Sequence, residues 1–294
     1  MRFIVFGASG YVGGCCYDYL ESSKFKVIGT QNTSKLANLR KFDLSNDRVK
    51  DIVDKSFLDK NDKVFGIIFA AFSEVDRCFR EKEKSYKINV ESTIKLIEDL
   101  VNLGIKPVYI STSAVFDGNY GYYKDNSKFS PVCEYGRQKV KVEEYIHQNI
   151  KDYLIFRLDK VLGDIPSKRN LFSQFQEPID KQQPLLCMEG QIFAPTHNND
   201  IPKAIALACK KDLKGTFNLA NTEFFSRFEL IRQFALSIGK ECKIICKPQE
   251  EFNFADKRNP KSYLDSSKFI KSTGFNFTPM SEVLENYKKN SQHN

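Results

Sequence analysis

The chain opens on an apolar run, Arg2-Phe-Ile-Val-Phe6, that breaks into Gly7-Ala-Ser-Gly10-Tyr-Val-Gly13 and then into a segment, Tyr11 to Leu20, that suits a helix. Strand, glycine turn and helix in that order constrain the fold more than any other feature. Glycine permits the tight turn and lets backbone N–H groups approach a pyrophosphate, with the positive end of the helix behind them. The spacing is GxxGxxG, not GxGxxG. Its position between strand and helix makes it a dinucleotide cradle, with Gly7, Ser9, Gly10, Tyr11, Val12 and Gly13 forming the cofactor loop.

The alternation continues through the first half. Phe25 to Gly29 and Val64 to Ala71 read as strands, the second apolar on both faces as the interior of a parallel sheet requires. From Val75 to Leu103 one long helical stretch carries Ile88, Ile94, Ile97 and Val101 near helical spacing, and Gly104 supplies its stop. Pro107 to Thr112 is the next strand, Glu134 to about Gln148 a helix, and Tyr153 to Leu158 another strand. This order predicts an α/β fold with a Rossmann-type doubly wound parallel sheet. Beyond Gly163, Pro166, Pro178, Pro184 and Pro195 punctuate shorter elements, with helices at Ile201 to Cys209 and Phe228 to Ile238. We therefore expect an NAD(P)-binding domain over 1–165, with a return segment near 195–221, and a smaller α/β substrate-binding domain over most of 166–294.

Composition narrows the function. With 294 residues, 41% hydrophobic and 25 of them phenylalanine, the chain can bury a substantial core. The net charge of +8 comes from 45 basic and 37 acidic residues, and the lysines are scattered among acids, so a nucleic-acid partner is not expected. Phe65 to Phe72, the longest apolar run, has eight residues, against roughly 20 for a bilayer span. Phe3 to Phe6 is too short for the core of a secretory signal. A cytoplasmic protein free of the membrane is expected, its eight cysteines reduced. Their spacing offers no zinc site, so no metal is expected.

Two YxxxK patterns occur. Tyr120 to Lys124 lies in a turn-rich stretch, where four-residue spacing aligns nothing. Tyr135 to Lys139 opens a predicted helix, where residues four apart share a face. An ammonium there favours the phenolate, and is expected to lower the Tyr135 pKa from its usual value near 10 and allow proton exchange with a substrate oxygen. Lys139 can also hold the nicotinamide ribose. Thr112 ends a sheet strand in Tyr109-Ile-Ser-Thr-Ser-Ala-Val-Phe-Asp-Gly118, at the strand end where ligands of open α/β sheets sit. Thr112, Tyr135 and Lys139 are the expected catalytic set.

Where the second strand ends, no acidic residue stands ready for the adenosine ribose hydroxyls of NAD. Instead Thr30, Gln31, Thr33, Ser34, Lys35 and Arg40 could accommodate a 2′-phosphate. NADP(H) is the expected cofactor, with NAD(H) as the alternative, and Asp43 and Leu44 are placed to touch the adenine.

Together, Gly7-xx-Gly10-xx-Gly13, Thr112 and Tyr135-xxx-Lys139 resemble the extended short-chain dehydrogenase/reductase family. More narrowly, the chain is similar to its dTDP-4-dehydrorhamnose reductase (RmlD-like) branch. Val75-Asp76-Arg-Cys78, Asn89-Val90, Ala194-Pro195-Thr196 with Asp200, and Arg258-Asn-Pro260 to Leu264-Asp265 carry that likeness. The resemblance implies reduction of the 4-keto group of a nucleotide-linked deoxysugar, so a nucleotide-diphosphate sugar is the expected partner. It implies that Ala70, Ala71 and Phe72 line the cofactor cleft and that Asn170, Phe193, Pro195 and Thr196, with Thr112, touch substrate. Members often form homodimers, and a homodimer stands as the expectation for the assembly. Two alternatives are a 4-epimerase retaining NAD and a non-catalytic NADP-binding regulatory protein. The dehydratase branch resembles the chain less, because Ser113-Ala114 cannot supply the acid/base pair it uses after the threonine.

Overall fold

Arg2–Phe6 and Val64–Ile68 are buried at every position, which requires a sheet covered on both faces. The computed structural model describes residues 1–58 and 62–292 and supplies that sheet. Its strands are β1 (Arg2–Phe6), β2 (Lys26–Gln31), β3 (Arg40–Lys41), β4 (Val64–Ile68), β5 (Lys106–Thr112), β6 (Leu154–Leu158) and β7 (Gly215–Asn218). Seven strands run in the order β7-β6-β5-β4-β1-β2-β3 and every pairing is parallel. From β1 the chain builds outward first through β2 and β3, then on the other side through β4, so the order reverses between β1 and β4. In open α/β sheets the crevice at the carboxyl ends of strands beside such a reversal receives the ligand.

Alternation along each strand feeds two cores. Phe3 and Val5 join Tyr17, Leu20, Phe65, Phe156 and Ile205 on one face. Ile4 and Phe6 join Leu96, Leu100, Val142 and Ile155 on the other. A third cluster, containing Phe172, Phe175, Phe234, Val283 and Tyr287, belongs to the smaller C-terminal part. There the Phe172 and Phe234 rings stack with centroids 5.0 Å apart. Between these parts the helix Asp200–Lys210 packs on the helix Tyr11–Ser22, and β7 then pairs with β6. Of the expected 166–294 segment, the last two residues lie outside the described residues.

Two expectations need correction. The stretch from Val75 to Leu103 is not one helix: it divides into Val75–Arg80, Lys82–Tyr86, a wider π-helix Lys87–Ser92 and Thr93–Asn102. Glu81 leaves helical geometry at φ −108° and ψ 50°, and the buried Ser85 hydroxyl reaches the Cys78 carbonyl across that break, at 3.0 Å. Apolar periodicity survives such a break, so the pattern alone could not reveal it. Nor are all cysteines free thiols. Strands Leu185–Met188 and Ile244–Lys247 pair with Cys246 opposite Cys187, their Cα atoms are 4.6 Å apart, and the two are bonded as a disulfide.

A buried ion pair joins β5, β6 and the helix Glu134–Asn149. Glu143 and Arg157 are 0% and 2% exposed, with Arg157 Nη2 2.6 Å from Glu143 Oε2. The Ser111 hydroxyl donates to the same carboxylate, and the Phe116 and Phe129 rings each lie 5.2 Å from the guanidinium carbon. Removing one partner strands a buried charge. Glu143→Ala or Arg157→Ala alone is expected to lower the unfolding free energy by about 3–5 kcal/mol, and the apolar pair Glu143→Leu with Arg157→Met to recover most of it. Urea denaturation of the three variants measures this.

Candidate active site

At the end of β1 the chain must turn sharply into a helix, and Gly7 takes φ +86° to do so. A Cβ on Gly7 would stand 2.8 Å from the Ala70 nitrogen, and one on Gly13 would stand 2.3 Å from the Gly7 oxygen. Neither position tolerates a side chain. The turn is closed by Gly10 N–H donating to Gly7 O at 3.0 Å, while Ala8 N–H donates to Thr30 O at 2.8 Å. Gly10 caps the helix Tyr11–Ser22 in extended conformation with no side-chain acceptor at its first turn. A helix start of this kind, bare of side-chain acceptors and reached by glycine, fits a pyrophosphate.

Several groups expected near the adenosine end are already engaged. Thr30 Oγ1 accepts from Gly7 N–H at 3.3 Å. The buried Gln31 amide holds the following loop through Leu36 N–H, Leu36 O and Leu39 O, and the Arg40 guanidinium donates to Ile52 O. Thr30 and Gln31 are therefore corrected from phosphate ligands to loop-holding residues, while Thr33, Ser34, Lys35 and Arg40 stay exposed. Asp43 turns its carboxylate onto Ser45 N–H at 2.9 Å and the Asn46 amide at 3.0 Å, and Leu44 packs against the second core.

On the other side of the crevice, Tyr135, Lys139 and Glu143 recur every four residues along the helix Glu134–Asn149. Lys139 Nζ donates to Ile110 O at 2.9 Å, just as Glu143 accepts from Ser111, so the helix is buttoned to the end of β5. That ammonium lies 4.6 Å above the Tyr109 ring and 5.7 Å from the Tyr135 ring centre. Thr112 ends β5, half-buried, with its hydroxyl accepting from Ala114 N–H at 3.2 Å. The helix start reaches the same place: a Cβ on Gly136 would stand 2.1 Å from Ala114 O. The helix start that bears Tyr135, the Lys139 ammonium and the strand-end hydroxyl thus lie at the carboxyl end of β5.

The electrostatics differ from expectation. Burial, with small contributions from Cys78 and Cys133, raises the Tyr135 pKa. The expected lowering is corrected: lost solvation of the phenolate outweighs an ammonium whose hydrogen bond goes to a carbonyl. Burial likewise pushes Lys139 down to about 8, against the opposing pull of Glu143.

Ala70 and Ala71 are half-buried beside the glycine turn. Phe72 is clamped at its backbone by Asn89, whose Oδ1 accepts from Phe72 N–H and whose Nδ2 donates to Phe72 O, both at 2.8 Å. Asn89 Nδ2 also donates to Gln138, the neighbour of Lys139, at 2.8 Å. The π-helix turns Asn89 into this position, a role that no local spacing announced. Four expected substrate contacts need correction. Asn170 is fully buried, capping a helix at Phe172 N–H and donating to the carbonyls of Gly163 and Ile165. Phe193 lies in the C-terminal core, Pro195 is buried, and Thr196 is buried with its hydroxyl on Leu219 O. In the structure these four side chains are packed inside the protein, with the polar groups of Asn170 and Thr196 bonded to its own backbone. Sequence reading missed Asp159, whose carboxylate gathers Ser262 Oγ at 2.7 Å, Ala194 N–H at 2.8 Å and Ser113 Oγ at 2.9 Å. It ties the residue after Thr112 to the C-terminal part.

Lys139 allows a direct measurement. The unfolded chain keeps this proton to about pH 10.5 and the folded protein only to about 8. Between those values the unfolded state binds more protons, so this group makes stability rise with pH, and below pH 8 its buried charge is a cost. One lysine side-chain NMR signal should titrate near pH 8 and vanish in Lys139→Met, which also loses that slope in stability between pH 8 and 10.5.

Comparison with known proteins gives the family and the fold. The family model described as RmlD substrate binding domain matches residues 1–293. The probable low-salt glycan biosynthesis reductase Agl14 of Haloferax volcanii is 30% identical over 253 residues, covering 83% of each chain. A solved structure of a hypothetical dTDP-4-dehydrorhamnose reductase from Sulfolobus tokodaii is 26% identical with a TM-score of 0.81, over 97% of this chain and 99% of that one. The dTDP-4-dehydrorhamnose reductase of Bacillus anthracis, solved in complex with NADP, is 22% identical with a TM-score of 0.85, over 97% and 98%, a likeness of fold. A match that runs from the glycine turn through the last helix places this chain in the RmlD substrate binding domain family, within the extended short-chain dehydrogenase/reductases.

Proposed function

We propose that this protein reduces the 4-keto group of a nucleotide-linked deoxysugar with NADP(H). The observation that carries this reading is the gathering of Tyr135, Lys139 and Thr112 at the end of β5, across the crevice from the Gly7–Gly13 cradle. When bound, the reduced nicotinamide supplies the hydride. The chain's own residues do the rest. Thr112 holds the ketone oxygen, and Tyr135, kept protonated at neutral pH by its raised pKa, donates a proton to that oxygen as negative charge develops on it. Lys139 holds the nicotinamide ribose and stabilises the phenolate left behind. Ala70 and Ala71, small side chains beside the glycine turn, and Phe72 would line the cofactor cleft.

Purified protein with NADPH and a panel of 4-keto-6-deoxy sugar nucleotides should oxidise the cofactor. Tyr135→Phe should lower kcat by about a hundred- to ten-thousandfold while NADPH affinity stays within about threefold. No absorbance change with any of the panel would reject the reading, and tightly copurifying NAD would assign a 4-epimerase instead.

Cofactor choice rests on the exposed Thr33, Ser34 and Lys35. Lys35→Glu is expected to weaken NADPH binding about tenfold, the loss of one charge-assisted contact replaced by repulsion, and to leave NADH unchanged. Fluorescence titration with both nucleotides checks it; equal weakening of both would remove Lys35 from the 2′-phosphate site.

A further inference from the structure

The segment from Phe252 to Ser262 leaves the C-terminal part, crosses to the Rossmann sheet and returns along the rim of the site. Asp76, in the first turn of the helix Val75–Arg80, accepts from Ala255 N–H at 2.9 Å and Asp256 N–H at 3.2 Å, and pairs with Arg258 Nη2 at 2.9 Å, all on one carboxylate oxygen. Burial works against the ionised Asp76, yet Arg258 and these two donors hold its pKa below the usual carboxylate value. Asp256, placed by Asp76, turns its own carboxylate to Glu134 N–H at 2.6 Å. Glu134 opens the helix that carries Tyr135, so this bond caps the first turn at the residue before the phenol. Arg258 closes the unit by donating to Asp256 O at 2.8 Å and lying 4.4 Å over the Phe254 ring. Downstream, Asn259 Nδ2 donates to Ser113 O at 3.2 Å, Lys261 N–H to Gly118 O at 3.0 Å and Ser262 Oγ to Asp159 at 2.7 Å. The segment is therefore pinned at both the phenol-bearing helix start and the loop that follows Thr112.

We propose that residues 252–262 form a strap whose seating by Asp76 and Asp256 sets the position of Tyr135, making these two carboxylates positioning residues for the proton transfer. The catalytic half of this inference rests on the reductase reading. The two carboxylates bond to the strap and to the helix start. They act through the helix start: releasing the strap uncaps Glu134 and loosens the turn on which the phenol sits, while the glycine cradle, on another edge of the crevice, is left as it was.

Asp256→Ala and Asp76→Ala, each with NADPH bound, are expected to lower kcat by about ten- to a hundredfold, the range for a slightly misplaced reacting group, with NADPH affinity within about twofold. Asp256→Asn keeps an oxygen that can accept from Glu134 N–H and should return kcat to within about threefold of the parent. Hydrogen–deuterium exchange supplies the readout that needs no turnover: amides in 133–138 and 252–260 should exchange about tenfold faster in both alanine variants, those of β1 and β4 at the parental rate. Parental kcat in the alanine variants, an asparagine variant as slow as alanine, or faster exchange throughout the sheet would each overturn the strap. A parent that reduces no 4-keto sugar would instead overturn the reductase reading, and local exchange alone would then decide whether the strap holds the helix start.

Discussion

The structure depends on how the helix Glu134–Asn149 is held against the end of β5. Two side chains one turn apart do this, Lys139 on the Ile110 carbonyl and Glu143 on the Ser111 hydroxyl, and the buried Arg157 carries the second bond on to β6. Because the helix repeats every four residues along one face, fixing Lys139 and Glu143 also fixes Tyr135 one turn earlier. A slip along the helix would take the phenol away from the strand end where Thr112 lies. The register is guarded by buried charge, which is costly to expose to a mismatched partner and has few acceptable geometries.

The glycine cradle answers the same strand ends from the opposite side. Gly7 and Gly13 touch backbone where any Cβ would collide, so the turn comes close against Ala70 at the end of β4. This brings the cofactor loop to the reversal point of the sheet. Burial sets the proton chemistry there: it keeps the Tyr135 proton on and weakens the hold of Lys139 on its own. A donor that holds its proton until charge develops on a bound oxygen suits reduction, the direction in which a phenol must give its proton up.

The C-terminal part contributes to the site mainly through connections. Its core, built around Phe172, Phe234 and Tyr287, is separate from the two cores on the sheet. Asp159 gathers three donors from three stretches of chain, and the segment 252–262 links the C-terminal strand pair to the start of the catalytic helix. The residues expected to touch substrate, Asn170, Phe193, Pro195 and Thr196, are buried in the structure. A sequence motif marks positions that matter, and a residue capping a helix in the wall matters as much as one facing the ligand.

Much was legible in the residues alone. Apolar runs of strand length, glycines at one spacing between strand and helix, and a tyrosine and lysine four apart at a helix start are local facts, and local facts specify the sheet, the cradle and the pair. What lay beyond reach were properties decided between distant segments. The break near Glu81 is bridged by Ser85 on Cys78 O, and the π-helix carries Asn89 to its bond with Phe72, 17 residues away. The disulfide follows from the register of two strands 59 residues apart in sequence. Tyr135 is raised rather than lowered because solvation depends on everything packed around a group, and no spacing encodes that. The chain's own order determined which groups could do chemistry; only tertiary packing decided which of them face the crevice, which stand behind it, and how tightly each keeps its proton.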